Sequence, residues 1–305
     1  MAGLGSNKYT LFGVMAILMW SCVMALTRDI AELFGPIGGA ALMYTVSTLA
    51  LALVMGVPRL SDFNTRYLLF GGVLFVAYEI LLALALGMAN DRQQAMEMAV
   101  INYLWPALTV LFAVLSSGRK VNILVYPSVV LAFIGVVWCI SGDSTLSIES
   151  IKSNIATNPI TYSMAFSAAF IWALYCNITP TMSGGKNAIV VFFAMTAITL
   201  WVHYAFSNER EMAFNLSSVS TLLLAGIVMG AGYALWNQAI IGGNMVLIAT
   251  FSYFTPVFST LFSSFYLSVA LTQSFWQGVA LVTLGSLMCA WATREKPERE
   301  EASAL

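Results

Sequence analysis

The sequence alternates between long apolar stretches and short polar breaks along most of its length. Roughly 20 consecutive apolar residues are enough for one helix to cross the hydrocarbon core of a bilayer. The breaks contain turn-forming or charged residues, such as Gly35-Pro36 and Gly118-Arg119-Lys120. The pattern predicts an all-α integral membrane protein with ten transmembrane helices, at residues 9–27, 37–56, 68–89, 94–116, 122–141, 160–180, 187–206, 219–241, 245–267 and 274–293.

Composition favours the same class of protein. Of the 305 residues, 60% are hydrophobic and 9% are charged, whereas soluble domains have about 25% charged residues. So few charges cannot cover a water-facing surface, and we therefore expect the lipid bilayer to surround a single membrane domain, residues 1–305. The net charge of −1 indicates no nucleic-acid partner. The first apolar stretch is too long for a signal peptide, and we expect it to be a retained helix.

The distribution of basic residues predicts the orientation. If the N-terminus is cytoplasmic, nine Lys and Arg residues fall in inside segments and four in outside segments. Basic residues are enriched on the cytoplasmic side of membrane proteins. We therefore expect a multi-pass protein of the cell inner membrane with both termini cytoplasmic, ending in a solvated tail at residues 294–305.

Two parts of the sequence repeat one another. Tyr103-Leu104-Trp105-Pro106 matches Tyr253-Phe254-Thr255-Pro256 at an offset of 150, and Trp20 matches Trp172 at an offset of 152. These matches divide the chain into two five-helix repeats, 9–142 and 160–293. Because five is odd, the second repeat enters the membrane from the opposite side. Inverted-topology repeats around a central cavity are typical of secondary transporters that work by alternating access.

Several polar and aromatic side chains lie within the apolar helices. Such residues are costly against lipid, so we expect them to face a cavity; the alternative is that the hydroxyls and amides only join helices to one another. The predicted substrate-binding residues are Trp20, Tyr78, Asn102, Trp105, Trp172, Tyr233, Asn237 and Ser252.

Three further residues have predicted mechanical or electrostatic roles. Glu79 is the acid deepest within an apolar stretch, which makes it a candidate coupling group; alternatively it pairs locally with an indole or a hydroxyl. Pro106 and Pro256 each fall within a predicted helix and remove a backbone hydrogen bond there. We interpret them as hinges, with a static kink as the alternative.

The sequence contains no pattern for enzyme chemistry. It has no phosphate-binding loop of the ATPase type, one histidine (His203), and four cysteines without metal-ligand spacing. We therefore predict no catalytic residues, no metal and no cofactor. An intramembrane lipid-modifying enzyme would need an acid–base or metal cluster, and a phosphate-substrate carrier would need basic residues facing the cavity. A passive channel fits poorly with bulky aromatic side chains.

These residues resemble a known family. Trp20, the Asn102–Pro106 stretch and its counterpart Tyr253–Pro256, within ten helices, resemble the drug/metabolite transporter superfamily, and within it the EamA-type aromatic amino acid exporters. The resemblance covers residues 9–293. It implies a basket of helices around a central cavity, with Tyr78, Asn102, Trp105, Trp172 and their symmetry mates lining it. It further implies secondary export of aromatic amino acids and related amphipathic metabolites across the bacterial inner membrane. Other metabolites of the superfamily and the energy source stay open, and we expect a monomer.

Overall fold

A computed structural model describes residues 2–117, 122–141, 148–242 and 251–292. All regular elements within these residues are helical. The α-helices are α1 (Ala2–Phe34), α2 (Pro36–Met55), α3 (Gly72–Gly87), α4 (Arg92–Asn102), α5 (Trp105–Ser117), α6 (Val125–Ile140), α7 (Ile148–Thr157), α8 (Pro159–Met182), α9 (Ile189–Ala205), α10 (Leu216–Gly242), α11 (Thr255–Tyr266) and α12 (Gln273–Ala292). A 3₁₀ turn at Leu60–Asp62 and a π-helical turn at Tyr67–Gly71 precede α3.

The lengths of these helices fit a membrane protein. Among the described residues, seven helical stretches are long and apolar enough to cross a bilayer. They are Lys8–Phe34, Pro36–Met55, Tyr67–Gly87, Arg92–Ser116, Pro159–Met182, Leu216–Trp236 and Gln273–Ala292. Two more apolar helices, α6 and α9, have 16 and 17 residues. The prediction of an all-helical integral membrane protein is confirmed, whereas the number ten stays a prediction because the segment 245–267 is described only from residue 251.

Three predicted boundaries were wrong. The first helix does not end at residue 27 but continues to Phe34, because Arg28 and Glu32 neutralise one another across one helical turn. Between the predicted helices 122–141 and 160–180 the structure has a further helix, α7. The helix predicted at 94–116 is interrupted and forms α4 and α5. The predicted tail at 294–305 lies outside the described residues.

The helices pack in pairs that respect the repeat. α1 packs along α10 and α3 packs along α8, while α2 pairs with α9 and α6 with α12. With the sequence offsets of 150 and 152, α1 corresponds to α8 and α3 to α10, so the first two contacts are counterparts. Buried residues form one core around α4, α6, α8 and α12. A second core lies around α1, α2, α3, α9 and α10.

The contact between α6 and α12 depends on glycine. A Cβ atom added at Gly285 would lie 2.7 Å from the backbone nitrogen of Ala132 and from the Ser128 carbonyl oxygen. A Cβ added at Gly135 would lie 2.7 Å from the Gly278 carbonyl oxygen. Small residues of this kind let membrane helices approach until their backbones touch. Gly135 and Gly285 therefore allow α6 and α12 to approach one another to backbone contact.

Candidate functional site

The interruption between α4 and α5 lies inside a membrane-spanning stretch. α4 ends at Asn102, and the backbone N–H of Leu104 donates to the Ile101 carbonyl at 3.1 Å in a tight turn. Pro106 has no N–H to donate to the Asn102 carbonyl. The sequence therefore stops one helix and starts another, α5, at Trp105, which leaves two helix ends at membrane depth.

A similar interruption precedes α11. The N–H of Phe254 donates to the Phe251 carbonyl at 3.0 Å, and α11 then begins at Thr255 with Pro256 in its first turn. The Thr255 hydroxyl donates to the Ser252 carbonyl at 2.6 Å, which is the group that Pro256 leaves without a backbone donor. Both prolines thus lie in the first turn of a helix rather than inside a continuous one. Their role as hinges stays a prediction.

Three of the predicted site residues meet at the first interruption. The rings of Tyr78 and Trp172 stack with centroids 4.4 Å apart and planes 29° apart. Trp105 approaches Trp172 edge-on, with centroids 6.4 Å apart. Offset stacking and edge-to-face contacts are the preferred geometries of aromatic pairs. The side chains come from α3, α8 and α5, so three helices converge here.

Phe75 joins this group to the remaining predicted aromatic residues. Phe75 is fully buried, and its ring lies 5.9 Å from Trp172 and 6.4 Å from Tyr233. Tyr233 lies 5.1 Å from Trp20. We call Trp20, Phe75, Tyr78, Trp105, Trp172 and Tyr233 the aromatic cluster. Sequence reasoning did not include Phe75 among the site residues, although it lies one helical turn from Tyr78, and that spacing was the available signal.

Two members of the predicted site have polar atoms that the described residues leave unpaired. Asn102 is buried beside Tyr78, and its Oδ1 atom has no hydrogen-bond partner among the described residues. The same holds for the indole nitrogen of Trp20. Ser252 is half-buried at the interruption before α11. The side chain of Asn237 lies outside what the structure describes.

Glu79 lies next to the aromatic cluster and contacts one of its members. It is buried and accepts hydrogen bonds from the hydroxyls of Tyr44 at 2.5 Å and Tyr233 at 3.0 Å. The structure therefore shows the local pairing with hydroxyls that the sequence left as an alternative. Because Tyr233 belongs to the aromatic cluster, the carboxylate is also connected to the predicted binding residues.

A second buried acid, Glu97, lies in a contact between α4 and α8. Glu97 on α4 accepts a hydrogen bond from the Tyr162 hydroxyl on α8. No group of three or more His, Cys, Asp or Glu side chains that could hold a metal occurs within the described part of the chain.

Apolar spanning helices, an interrupted helix at membrane depth and a partly buried aromatic cluster together describe a multi-pass membrane transporter. Residues 159–291 match the EamA-like transporter family. The chain belongs to this family, and its relatives include two curated exporters that align with nearly its whole length.

The two relatives carry the same name. The chain is 46% identical over 291 residues to the aromatic amino acid exporter YddG of Salmonella typhimurium (strain 14028s / SGSC 2262), with 95% of this chain and 99% of the relative covered. It is 45% identical over 288 residues to the aromatic amino acid exporter YddG of Escherichia coli (strain K12), with 94% and 98% covered. A solved crystal structure at 22% identity superposes with a TM-score of 0.65 over 94% of this chain and 98% of that one.

These comparisons confirm the family resemblance drawn from the sequence. They also confirm that the chain is a transporter rather than an enzyme, since the family and both relatives are named for transport.

Proposed function

We propose that this protein exports aromatic amino acids across the bacterial inner membrane. The aromatic cluster carries the proposal: six aromatic rings from α1, α3, α5, α8 and α10 are connected by ring contacts around an interrupted helix. The relatives that share 45–46% of its residues are named aromatic amino acid exporters. A substrate ring fits such surroundings because aromatic pairs gain about 0.5–1.5 kcal/mol beyond area burial.

The proposed architecture is a pair of inverted five-helix repeats around a central cavity. Its support is the paired packing of α1 with α10 and α3 with α8, together with the two helix interruptions at positions 150 residues apart. One chain supplies both repeats, so we propose that the monomer is the transporting unit. The surplus of basic residues in the inside segments supports cytoplasmic termini.

The polar atoms next to the cluster suit the backbone of an amino acid. Asn102 Oδ1 is an acceptor for the substrate ammonium group, and the Trp20 indole N–H is a donor for its carboxylate. The aromatic faces attract the ammonium group further by cation–π interaction. Ser252, the counterpart of Asn102 at an offset of 150, and Asn237 are proposed as additional polar contacts. No Lys or Arg lies in the middle of a predicted membrane helix, which suits a carrier that accepts several aromatic side chains.

The proposed mechanism is alternating access. The two repeats rock about the interruptions at Pro106 and Pro256, and the substrate cavity opens to one side of the membrane at a time. Interrupted helices suit this movement because bending the chain between two helix ends breaks fewer backbone hydrogen bonds than bending a continuous helix. We propose Glu79 as the group that couples transport to a proton gradient, because it shares Tyr233 with the binding cluster.

The test is uptake of labelled tryptophan into liposomes that contain the purified protein. We expect saturable uptake that the Trp105→Ala substitution abolishes, because Trp105 contacts Trp172 within the cluster. The matched control is Trp291→Ala, since Trp291 is 61% exposed on α12 and its loss leaves the cluster intact. Folded protein that transports neither tryptophan, phenylalanine nor tyrosine would contradict the proposed substrate class.

A further inference from the structure

A group of charged side chains joins several helix ends at the end of the molecule where α1 finishes. Arg28 and Glu32 on α1 form a salt bridge with an Nε–Oε1 distance of 2.8 Å. Arg92, the first residue of α4, binds the same carboxylate with an Nη2–Oε2 distance of 2.6 Å. Asp29 and Tyr266 lie beside this pair. We call Arg28, Asp29, Glu32, Arg92 and Tyr266 the charged latch.

Arg28 connects the latch to the end of α3. Its Nη1 atom donates to the carbonyls of Leu86, Gly87 and Ala89, the last at 2.7 Å. The last carbonyls of a helix have no partner within the helix, and here a guanidinium supplies one. Arg28 is 8% exposed, so a neutral replacement would leave buried carbonyls unpaired. Arg28 therefore has a structural role. The contacts that would break on opening are made by other residues of the latch.

The contacts to α11 cross between the two predicted repeats. The Tyr266 hydroxyl donates to Asp29 Oδ2 at 2.7 Å, and Arg92 Nη1 donates to the Leu267 carbonyl at 2.9 Å. α1 and α4 belong to the first repeat, whereas α11 belongs to the second. Separating the repeats at this end therefore requires these two hydrogen bonds to break.

A small internal space lies directly under the latch. Its lining includes Arg28, Leu267, Met24, Ala99 and Ser263. Ala99 is one helical turn before Asn102, where α4 ends beside the aromatic cluster. Arg28 of the latch and Ala99, one turn from the predicted binding residue Asn102, thus line the same small space.

The positions that correspond to the latch in the other predicted repeat carry different residues. The repeat offsets of 152 for the first and 150 for the fourth and ninth predicted helices identify the positions that correspond to the latch residues. None of these residues is charged or aromatic: they are Pro180, Thr181, Gly184, Gly242 and Ser116. Two otherwise similar repeats therefore differ in the residues that would close the two ends.

We propose that the charged latch is a one-sided gate. It holds the transporter closed where α1 finishes and so favours the conformation that opens towards the other side, which is the cytoplasm in the proposed orientation. An exporter that rests in this state presents its binding residues to the cytoplasm, where its substrate is loaded. The inference rests on the alternating access proposed above, but not on the identity of the substrate.

The test measures access from outside the cell. In a background whose native cysteines are replaced by serine, a Met24→Cys substitution places one thiol in the space under the latch. A membrane-impermeant maleimide added outside labels it slowly while the latch is intact. We expect Glu32→Gln and Arg92→Gln each to raise the labelling rate about two- to fivefold, the effect of a partly exposed ion pair. The double variant should gain less than the product of both, because the two side chains share one interaction.

A substitution of Tyr266 tests a single hydrogen bond of the latch. Tyr266→Phe removes only the hydroxyl that reaches Asp29, and we expect faster labelling of the thiol at position 24. Tyr204→Phe is the matched control, since that hydroxyl donates to the Arg210 carbonyl and stays within the second predicted repeat. Unchanged labelling in Glu32→Gln, Arg92→Gln and Tyr266→Phe proteins of wild-type melting temperature would overturn the gate. Labelling needs no substrate, so this result is separate from a failure of tryptophan transport.

Discussion

Glu79 shows at the scale of single residues how the surroundings of a carboxylate limit its roles. An ionised carboxylate within a membrane is costly unless hydrogen-bond donors surround it. Tyr44 on α2 and Tyr233 on α10 supply two donors. The donors come from different helices, so a movement of α10 relative to α2 changes the hydrogen bonding of Glu79. Hydrogen bonds to the charged form influence its protonation, and this is the physical basis for proposing Glu79 as the coupling group.

This link gives the prediction for Glu79→Gln. Glutamine keeps the size of the side chain but cannot carry a proton in exchange. We expect the variant to transport labelled tryptophan down its concentration gradient while losing any stimulation by a pH gradient. The measurement compares liposomes with and without the gradient. Glu149→Gln, which alters an exposed acid on α7, is the control. Equal stimulation in the Glu79→Gln and wild-type proteins would exclude Glu79 as the coupling group.

The residue types of the site could be predicted from the sequence, but their contacts could not. Trp20, Tyr78, Trp105, Trp172 and Tyr233 were identified because aromatic residues in the middle of apolar helices are unusual. Which rings touch depends on how α3, α8 and α10 pack. Phe75 shares a helical face with Tyr78 in the sequence, but only the structure shows its contacts with Trp172 and Tyr233 on two other helices.

At the scale of helices, the glycine contact between α6 and α12 leaves no room for a side chain. The atoms that a Cβ at Gly285 would meet belong to the backbone of α6, and backbone atoms cannot rotate away. Overpacking a core of this kind costs about 1–3 kcal/mol. The contact therefore limits which substitutions the helix pair tolerates.

We expect Gly285→Leu to lower the melting temperature of the purified protein and to reduce its yield from membranes. The control is Leu284→Phe, one residue away on the same helix, because Leu284 is 50% exposed and added volume there extends away from α6. A Gly285→Leu protein that melts at the wild-type temperature would show that α6 and α12 can separate without loss of stability.

Helix boundaries were predictable where proline and turn residues determine them, and less so where charges were involved. Pro106 and Pro256 indicated a disturbance at the correct positions, although the structure has interruptions rather than kinks. The end of the first helix was wrong because Arg28 and Glu32 look like loop residues in a local window. Their partners, Arg92 and the last carbonyls of α3, lie about 60 positions away and make the charges compatible with a helix.

At the scale of the whole molecule, the proposed orientation and inverted repeats determine how the two ends of the protein compare. Inverted repeats imply two ends that are alike, and the one-sided charged latch makes them different. Within the described residues, other polar contacts between the two predicted repeats also lie at the latch end. Glu209 accepts from the N–H groups of Ile37 and Gly38 at the start of α2. The latch end therefore has a further polar contact between the two predicted repeats.

The orientation makes a direct prediction for reporter fusions. We expect green fluorescent protein to fluoresce when fused to either terminus, and alkaline phosphatase to be inactive there. Alkaline phosphatase inserted within α7, an exposed helix between the predicted repeats, should be active. An active phosphatase at one terminus would contradict an even number of membrane crossings, and activity at both would reverse the side on which the latch closes.

The sequence by itself determined the class of protein and the approximate helices, its prolines indicated where two helices are disturbed, and it predicted the types of residue at the proposed site. These properties depend on hydropathy and on local backbone chemistry, which act over a few neighbouring positions. The tertiary structure decided which side chains meet: Glu79 pairs with tyrosines 35 and 154 positions away, and Arg92 binds the Leu267 carbonyl 175 positions away. Such contacts arise from the packing of distant helices. The periodicity of one helix shows which of its faces is polar, but not which other helix lies against that face.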